Sequence, residues 1–163
     1  MRMYTFIGGI MVITFLGHSD YIYCLEDEEQ LLNLIEKVAK DNQVDFYLGG
    51  YGNFDNFALK CATIYKSSHP NAKLVFVTPY LNNWLDKRKE VIYKYYDLII
   101  FPEIENTPKK FAILKRNEWM INKADYVFAY VKNSFGGAYK TLLYAYKHKK
   151  PFTNLYNGNL KLF

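Results

Sequence analysis

Asp45-Phe46-Tyr47-Leu48-Gly49-Gly50-Tyr51-Gly52-Asn53-Phe54-Asp55 passes from a short aromatic run through a glycine turn into a helix start. A β-branched or aromatic run reads as a buried strand, and Asp55 suits a first helical turn, where negative charge faces the positive end of the helix dipole. The same grammar recurs upstream, where Val12-Ile13-Thr14-Phe15-Leu16 ends at Gly17-His18-Ser19. It recurs downstream, where Asp125 to Val131 leads through Lys132-Asn133-Ser134-Phe135 to Gly136-Gly137 and a last helix. Strand, glycine turn and helix in repeated alternation predict βαβ crossovers, and hence an α/β fold with a parallel sheet.

The rest of the chain fills in that pattern. Acids at Glu26 to Glu29 mark a helix start, and Leu31, Ile35, Val38 and Ala39 follow at helical spacing. Phe57, Cys61 and Ile64 give the next helix its apolar stripe. Lys73 to Thr78 is a buried strand stopped by Pro79, and Asp97 to Phe101 is another. Between them Leu81 to Tyr96 is mixed in period, with a helix expected in its later half. Phe111, Leu114 and Ile121 form the stripe of a helix over Lys109 to Asn122, and Ala138, Leu142 and Ala145 that of the last helix. Pro151 to Leu155 is expected as an edge strand. No repeat, low-complexity tract or linker divides the 163 residues, so one domain is expected, with residues 1–10 a possible extension ahead of an alternative start at Met11.

Composition bounds the function classes. With 50% hydrophobic and 18% aromatic residues, a disordered chain is excluded. The net charge of +5 comes from interspersed acids and bases, with a lysine group at Lys147, Lys149 and Lys150 beyond the last helix. That pattern lacks the basic stripe of a nucleic-acid reader, so nucleic acid is a secondary candidate as partner. The apolar start has one charged residue, Arg2, and no small-residue cleavage site, so no signal peptide is expected. Cys24 and Cys61 have no C-x-x-C spacing and read as small buried hydrophobes, without a disulfide. These features fit a cytoplasmic protein that enters no membrane.

Ligands of open parallel sheets bind beyond the carboxyl ends of the strands, where neighbouring connections diverge. The loops that satisfy this are Gly17-His18-Ser19, Gly49 to Asn53 and Ser134 to Gly137. Glycine lets backbone N–H groups approach an anion, and a helix start behind it adds a favourable dipole, so a phosphate is the natural guest. Neither glycine loop matches G-x-G-x-x-G or a P-loop, which argues against dehydrogenase and NTPase chemistry. His18 is a candidate acid or base, or a turn and capping residue. Asp55 is explained either by the helix dipole or by catalysis. His69 and His148 have no metal-ligand spacing, so neither a metal nor a cofactor is expected. Arg116-Asn117 sits inside a helix, where the guanidinium either makes a surface ion pair or reaches a phosphate if that helix flanks the pocket.

From Val12 to Leu155 these motifs resemble the SLOG superfamily, which includes the LOG-type cytokinin-activating phosphoribohydrolases and the DNA-processing protein DprA. Gly17-His18 looks like the end of that family's first strand, and Gly49-Gly50-Tyr51-Gly52-Asn53-Phe54-Asp55 is similar to its Gly-Gly-x-x-Gly-x-Asp turn. Arg116-Asn117 resembles its Arg-Asn or Arg-Lys pair, and Gly136-Gly137 with Thr141 its Ser-Gly-Ser/Gly-x-x-Thr loop. The resemblance implies a Rossmann-like three-layer sandwich with a mostly parallel sheet. It also implies a nucleotide, nucleotide sugar or related phosphate ligand held by Gly17, His18, Gly49 to Asn53, Arg116, Asn117, Ser134, Gly136, Gly137 and Thr141, and a homodimer. The LOG enzymes use a P-G-G-x-G-T-x-x-E motif to cleave the bond between base and ribose. Laid on Gly136-Gly137, that motif puts Lys140 at the threonine and Leu143 at the glutamate; laid on Gly49-Gly50 it puts Asn56 at the glutamate. The expectation is therefore binding without turnover, with hydrolysis by Arg116 and Asp55, Glu118 or His18, or a role as an interaction module, as the alternatives.

Overall fold

The computed structural model describes residues 9–80, 83–104 and 106–162. The proposed extension over residues 1–10 therefore lies, up to residue 8, outside the described residues, as do positions 81 and 82 of the mixed stretch. Strand β1 spans Ile10–Gly17, β2 Gln43–Leu48, β3 Lys73–Val77, β4 Leu98–Ile100, β5 Tyr126–Tyr130 and β6 Phe152–Asn154. Helices α1 (Leu25–Ala39), α2 (Asn53–Ser68), α3 (Asn83–Ile92), α4 (Lys109–Lys123) and α5 (Gly136–Lys147) alternate with them. The strands form one sheet in the order β4-β3-β2-β1-β5-β6, and every pairing is parallel. Among the described residues no helix is long and apolar enough to cross a membrane.

Alternation along the strands sets the layers. On β1, Ile13 and Phe15 face α1 and α2, meeting Leu31 and Ile35 from the first and Phe57, Ala58 and Cys61 from the second. Leu16 points the other way, with Val127 and Ala129 of β5, onto Ile121 of α4 and Leu142 and Ala145 of α5. Helix α3 joins the first face through Leu85 and Ile92, which cluster with Phe76 of β3. The result is the three-layer Rossmann-like arrangement, in which each fully buried branched side chain contributes roughly 1.5–3 kcal/mol. Much of the aromatic content works as core: Phe15 stacks between Phe46 and Phe128 at 5.9 and 6.1 Å.

The structure corrects the sequence reading in several places. Cys61 is buried, but Cys24 is half-exposed and caps α1, its Sγ accepting the Asp27 N–H at 3.4 Å. Ile64 and Phe111 turn outward, exposed by 37% and 46%. The buried face of α2 also uses Phe54, Ala62 and Tyr65, and that of α4 is Ala112, Arg116, Met120 and Ile121. Spacing by four places Arg116 between Ala112 and Met120 on the sheet-facing side. Of the lysine group, Lys150 reaches across to the end of α4, donating to the Asn122 and Ala124 carbonyls at 3.1 and 3.0 Å.

Candidate functional site

Strand β1 lies between β2 and β5, and the connections leaving β1 and β5 go to opposite faces of the sheet. At that switch point a cleft of about 380 Å³ opens, walled by Gly17 and His18 after β1, Tyr51 and Asp55 around the start of α2, and Arg116 of α4. The start of α5 closes the far side. This volume is within the range of small-molecule sites.

Arg116 is 1% exposed. Its Nη1 donates to the Gly49 carbonyl and the Val77 carbonyl, both at 2.8 Å, and its Nε donates to Asn117 Oδ1 at 2.8 Å. The β2–β3 ladder ends at Leu48 and Phe76, so the guanidinium satisfies carbonyls just past the last paired residues. Two roles therefore meet in one side chain. Nη1 ties the ends of β2 and β3 together and Nε is held by Asn117 of the same helix, whereas Nη2 has no protein acceptor among the described residues, and the arginine lines the cleft. Burial lowers the Arg116 pKa, opposed by Asp55, Tyr80 and Tyr96. The surface ion pair considered for Arg116 is not what forms; its helix does flank the pocket.

Asp55, in the first turn of α2, reaches back so that Oδ2 accepts the Tyr51 N–H at 2.7 Å, fixing the glycine turn. Burial pushes its carboxyl up to about 6, with the Tyr51 N–H and the Arg116 charge acting in the opposite direction. A carboxyl that shares its proton near neutrality beside a guanidinium can serve as base or acid.

His18 makes the contacts of a capping residue and also lines the cleft. The backbone N–H groups of Lys132 and Asn133 donate to its Nε2 at 3.0 and 3.5 Å, which latches the end of β1 to the loop after β5. Donation to Nε2 requires a lone pair there, so the ring is neutral with its proton on Nδ1. Burial lowers its pKa, Asp20 raises it and Lys132 lowers it further.

Helix α5 begins in the open. No side chain caps it and no acid sits in its first turn. A Cβ placed at Gly136 or Gly137 would meet nothing within 4 Å. Thr141, buried at 1% exposure, donates to the Gly137 carbonyl at 2.9 Å and also lines the cleft.

No protein-family model matches the chain. It is 29% identical over 140 residues to the SPbeta prophage-derived protein YoqJ of Bacillus subtilis (strain 168), covering 76% of this chain and 82% of that protein. Among solved structures, DNA processing protein A from Streptococcus pneumoniae matches with a TM-score of 0.65 at 13% identity, over 94% of this chain and 53% of that one. DNA processing protein A from Helicobacter pylori, described for its single-stranded DNA binding mode, matches with a TM-score of 0.58 at 18% identity, over 87% of this chain. The fold is DprA-like. The chain spans 63% and 53% of the lengths of the Helicobacter pylori and Streptococcus pneumoniae chains.

On this DprA-like frame the candidate residues separate into groups. Gly17, His18, Tyr51, Asp55, Arg116, Asn117, Gly136, Gly137 and Thr141 converge on the cleft. Gly49 and Gly50 border an adjoining one instead. Gly52 and Asn53 are directed to the β1 loop, the Asn53 N–H donating to the Ser19 carbonyl at 2.9 Å. Ser134 is exposed and lines neither cleft. Glu118 also lines neither and pairs with Lys115 at 3.1 Å. Ile113 and Phe135 line the first cleft without having been singled out. Ile113 precedes Arg116 by three residues on the same helix, and that spacing was the available signal.

Proposed function

We propose that this chain is a single cytoplasmic domain that binds a phosphate-bearing, nucleotide-like small molecule at the β1/β5 switch point. One observation carries the reading: the uncapped start of α5 and a buried arginine, whose Nη2 has no acceptor among the described residues, line the same cleft. The first amides of α5 supply donors and dipole, Arg116 supplies charge, and glycines keep the approach free of side chains. Mononucleotides and nucleotide sugars are the class to screen. Thermal melting against such a panel reads this directly, because a ligand at 100 times its Kd raises apparent stability by about 2.7 kcal/mol. A melting point unmoved by every member overturns the proposal. Salt-sensitive retention of single-stranded DNA in its place would turn the reading toward nucleic acid. A second copy of the chain would cover exposed aromatics such as Tyr93 and Tyr95, and the sedimentation mass checks that pairing.

A second reading is favoured by Asp55, whose carboxyl stands in the cleft beside Arg116 with its pKa near 6. It is hydrolysis of the bond between base and ribose, with Asp55 the carboxylate that the glycine motifs lack. Release of free base from a nucleoside monophosphate, abolished by Asp55→Asn, supports turnover; intact nucleotide after prolonged incubation leaves binding alone.

A further inference from the structure

We propose that a surface cleft between the β1–α1 loop and the start of α2 is a saccharide site, taking the pyranose ring of a neutral sugar. The cleft has a volume of about 390 Å³ and is lined by Tyr21, Tyr23, Asn53, Asn56, Phe57 and Lys60. None of these residues lines the switch-point cleft or the one adjoining it, so the inference goes beyond the proposed function and does not depend on it.

The aromatic part of the lining is fixed. Tyr21 and Phe57 are buried, with ring centroids 5.0 Å apart. Tyr23 is 46% exposed and yet held from several sides. Its hydroxyl donates to Glu28 Oε2 at 2.6 Å, Lys60 Nζ donates to that hydroxyl at 3.3 Å and sits 4.4 Å from the ring centroid, and the Phe57 ring lies at 6.1 Å. A surface tyrosine normally loses rotamer freedom when a ligand settles on it; here that ordering is complete beforehand. Lys60, the charged residue of the lining, is paired with Glu28 at 2.9 Å, so the cleft offers a ligand no uncompensated charge. The polar part is of one kind. Asn53 and Asn56 stand three residues apart at the start of α2, which makes them neighbours on one face of that helix. Both are exposed, and neither side-chain amide has a hydrogen-bond partner among the described residues. An amide donates and accepts, and so does a hydroxyl, whereas a phosphate or carboxylate only accepts and an ammonium only donates. A pyranose has both halves of the required chemistry: hydroxyls on its edge for the amides, and a face of C–H bonds whose weakly positive hydrogens suit the negative face of an aromatic ring. The tie between α1 and α2 explains the ion pair, but not two amides left bare beside a pinned tyrosine.

Amide NMR of the full chain, titrated with methyl glucoside, methyl galactoside, methyl mannoside, N-acetylglucosamine and a proline-rich peptide, tests this. At least one sugar should shift the side-chain amide signals of Asn53 and Asn56 saturably, with a Kd of about 1 mM or tighter. Saturating the aromatic protons of the protein should then pass magnetisation to the C–H protons of that sugar. Asn56→Ala and Tyr23→Ala should each weaken binding about fivefold. No saturable shift at Asn53 and Asn56 with any of the sugars up to about 20 mM overturns the site. Affinity unchanged in Asn56→Ala likewise overturns it, and this variant, at an exposed helix position, carries the test if Tyr23→Ala fails to fold. Movement of the same signals by the peptide and by none of the sugars overturns the saccharide reading and assigns the cleft to an extended peptide.

Discussion

The two glycine turns of this chain look alike in sequence and differ in what surrounds them. A Cβ at Gly49 would stand 2.9 Å from Arg116 Cζ, one at Gly50 2.5 Å from Phe76, and one at Gly52 2.7 Å from the Cα of Ser19. At Gly136 and Gly137 it would meet nothing within 4 Å. The first turn is therefore packed from within: its glycines admit a buried guanidinium, an aromatic edge and the neighbouring backbone. The second faces the cleft. Glycine at a strand end signals close approach, but whether the approaching group belongs to the protein or to a ligand is decided by the other elements around the turn.

The largest effect expected at the packed turn comes from Arg116. Replacing it with Met removes two carbonyl partners, at Gly49 and Val77, and leaves both oxygens buried. At roughly 1–3 kcal/mol for each unsatisfied group, the loss should be on the order of 4 kcal/mol in chemical denaturation. A loss under about 1 kcal/mol would show that Arg116 is held for the ligand and not for the sheet.

Gly52→Ala comes next. Gly52 has φ +90, and the obstructing atom is backbone, which cannot rotate away. Backbone strain of roughly 1–3 kcal/mol with a similar overpacking cost gives a destabilisation of about 3 kcal/mol. Equilibrium unfolding checks it. A near-neutral result would erase the contrast between the turns.

A smaller effect separates the two roles of Asp55. Its folded-state pKa of about 6 lies above the ordinary carboxylate value near 3.9, so the folded state holds the proton more tightly than the unfolded chain does. The stabilisation that results is complete below pH 4 and is lost as pH rises through 6. Asp55→Asn keeps an oxygen to accept the Tyr51 N–H and has no such titration. The melting temperature of the variant relative to wild type should thus rise from pH 4 to pH 7, by an amount equivalent to about 2 kcal/mol. A difference independent of pH would mean that the carboxyl stays ionised throughout and serves only as the cap of the packed turn.

This contrast also marks how far the sequence could be read. The glycine turns and the parallel strands were legible because turn residues and β-branched runs are local signals. Arg116 was not legible as a buried tie, because its acceptors lie 67 and 39 residues away along the chain. Helix α4 offered Phe111, Leu114 and Ile121 as its apolar stripe, yet its inward face contains a charge between Ala112 and Met120. Cys24 misled for a related reason. A thiol beside apolar residues reads as core, but here it precedes the acids of α1 and caps them. The adjoining cleft gave no signal, since Phe76, Thr78, Pro79 and Tyr80 read as a strand and its stop and acquire a shared wall only when α4 brings Ile113 and Arg116 against them.

The smallest effect on stability belongs to the open turn, and it sharpens the comparison most. Gly137 stands in the first turn of α5 outside the left-handed region, with free space where a side chain would go. Alanine is the better helix former by up to about 1 kcal/mol, so Gly137→Ala should leave stability unchanged or raise it slightly. Neither packing nor backbone conformation requires a glycine here, and a side chain at this position would border the cleft. A methyl on that side should weaken a nucleoside monophosphate severalfold while the melting point of the unliganded protein holds or rises. If Gly137→Ala destabilises as much as Gly52→Ala, the second turn is packed like the first and the helix start is not the open end that the phosphate reading requires.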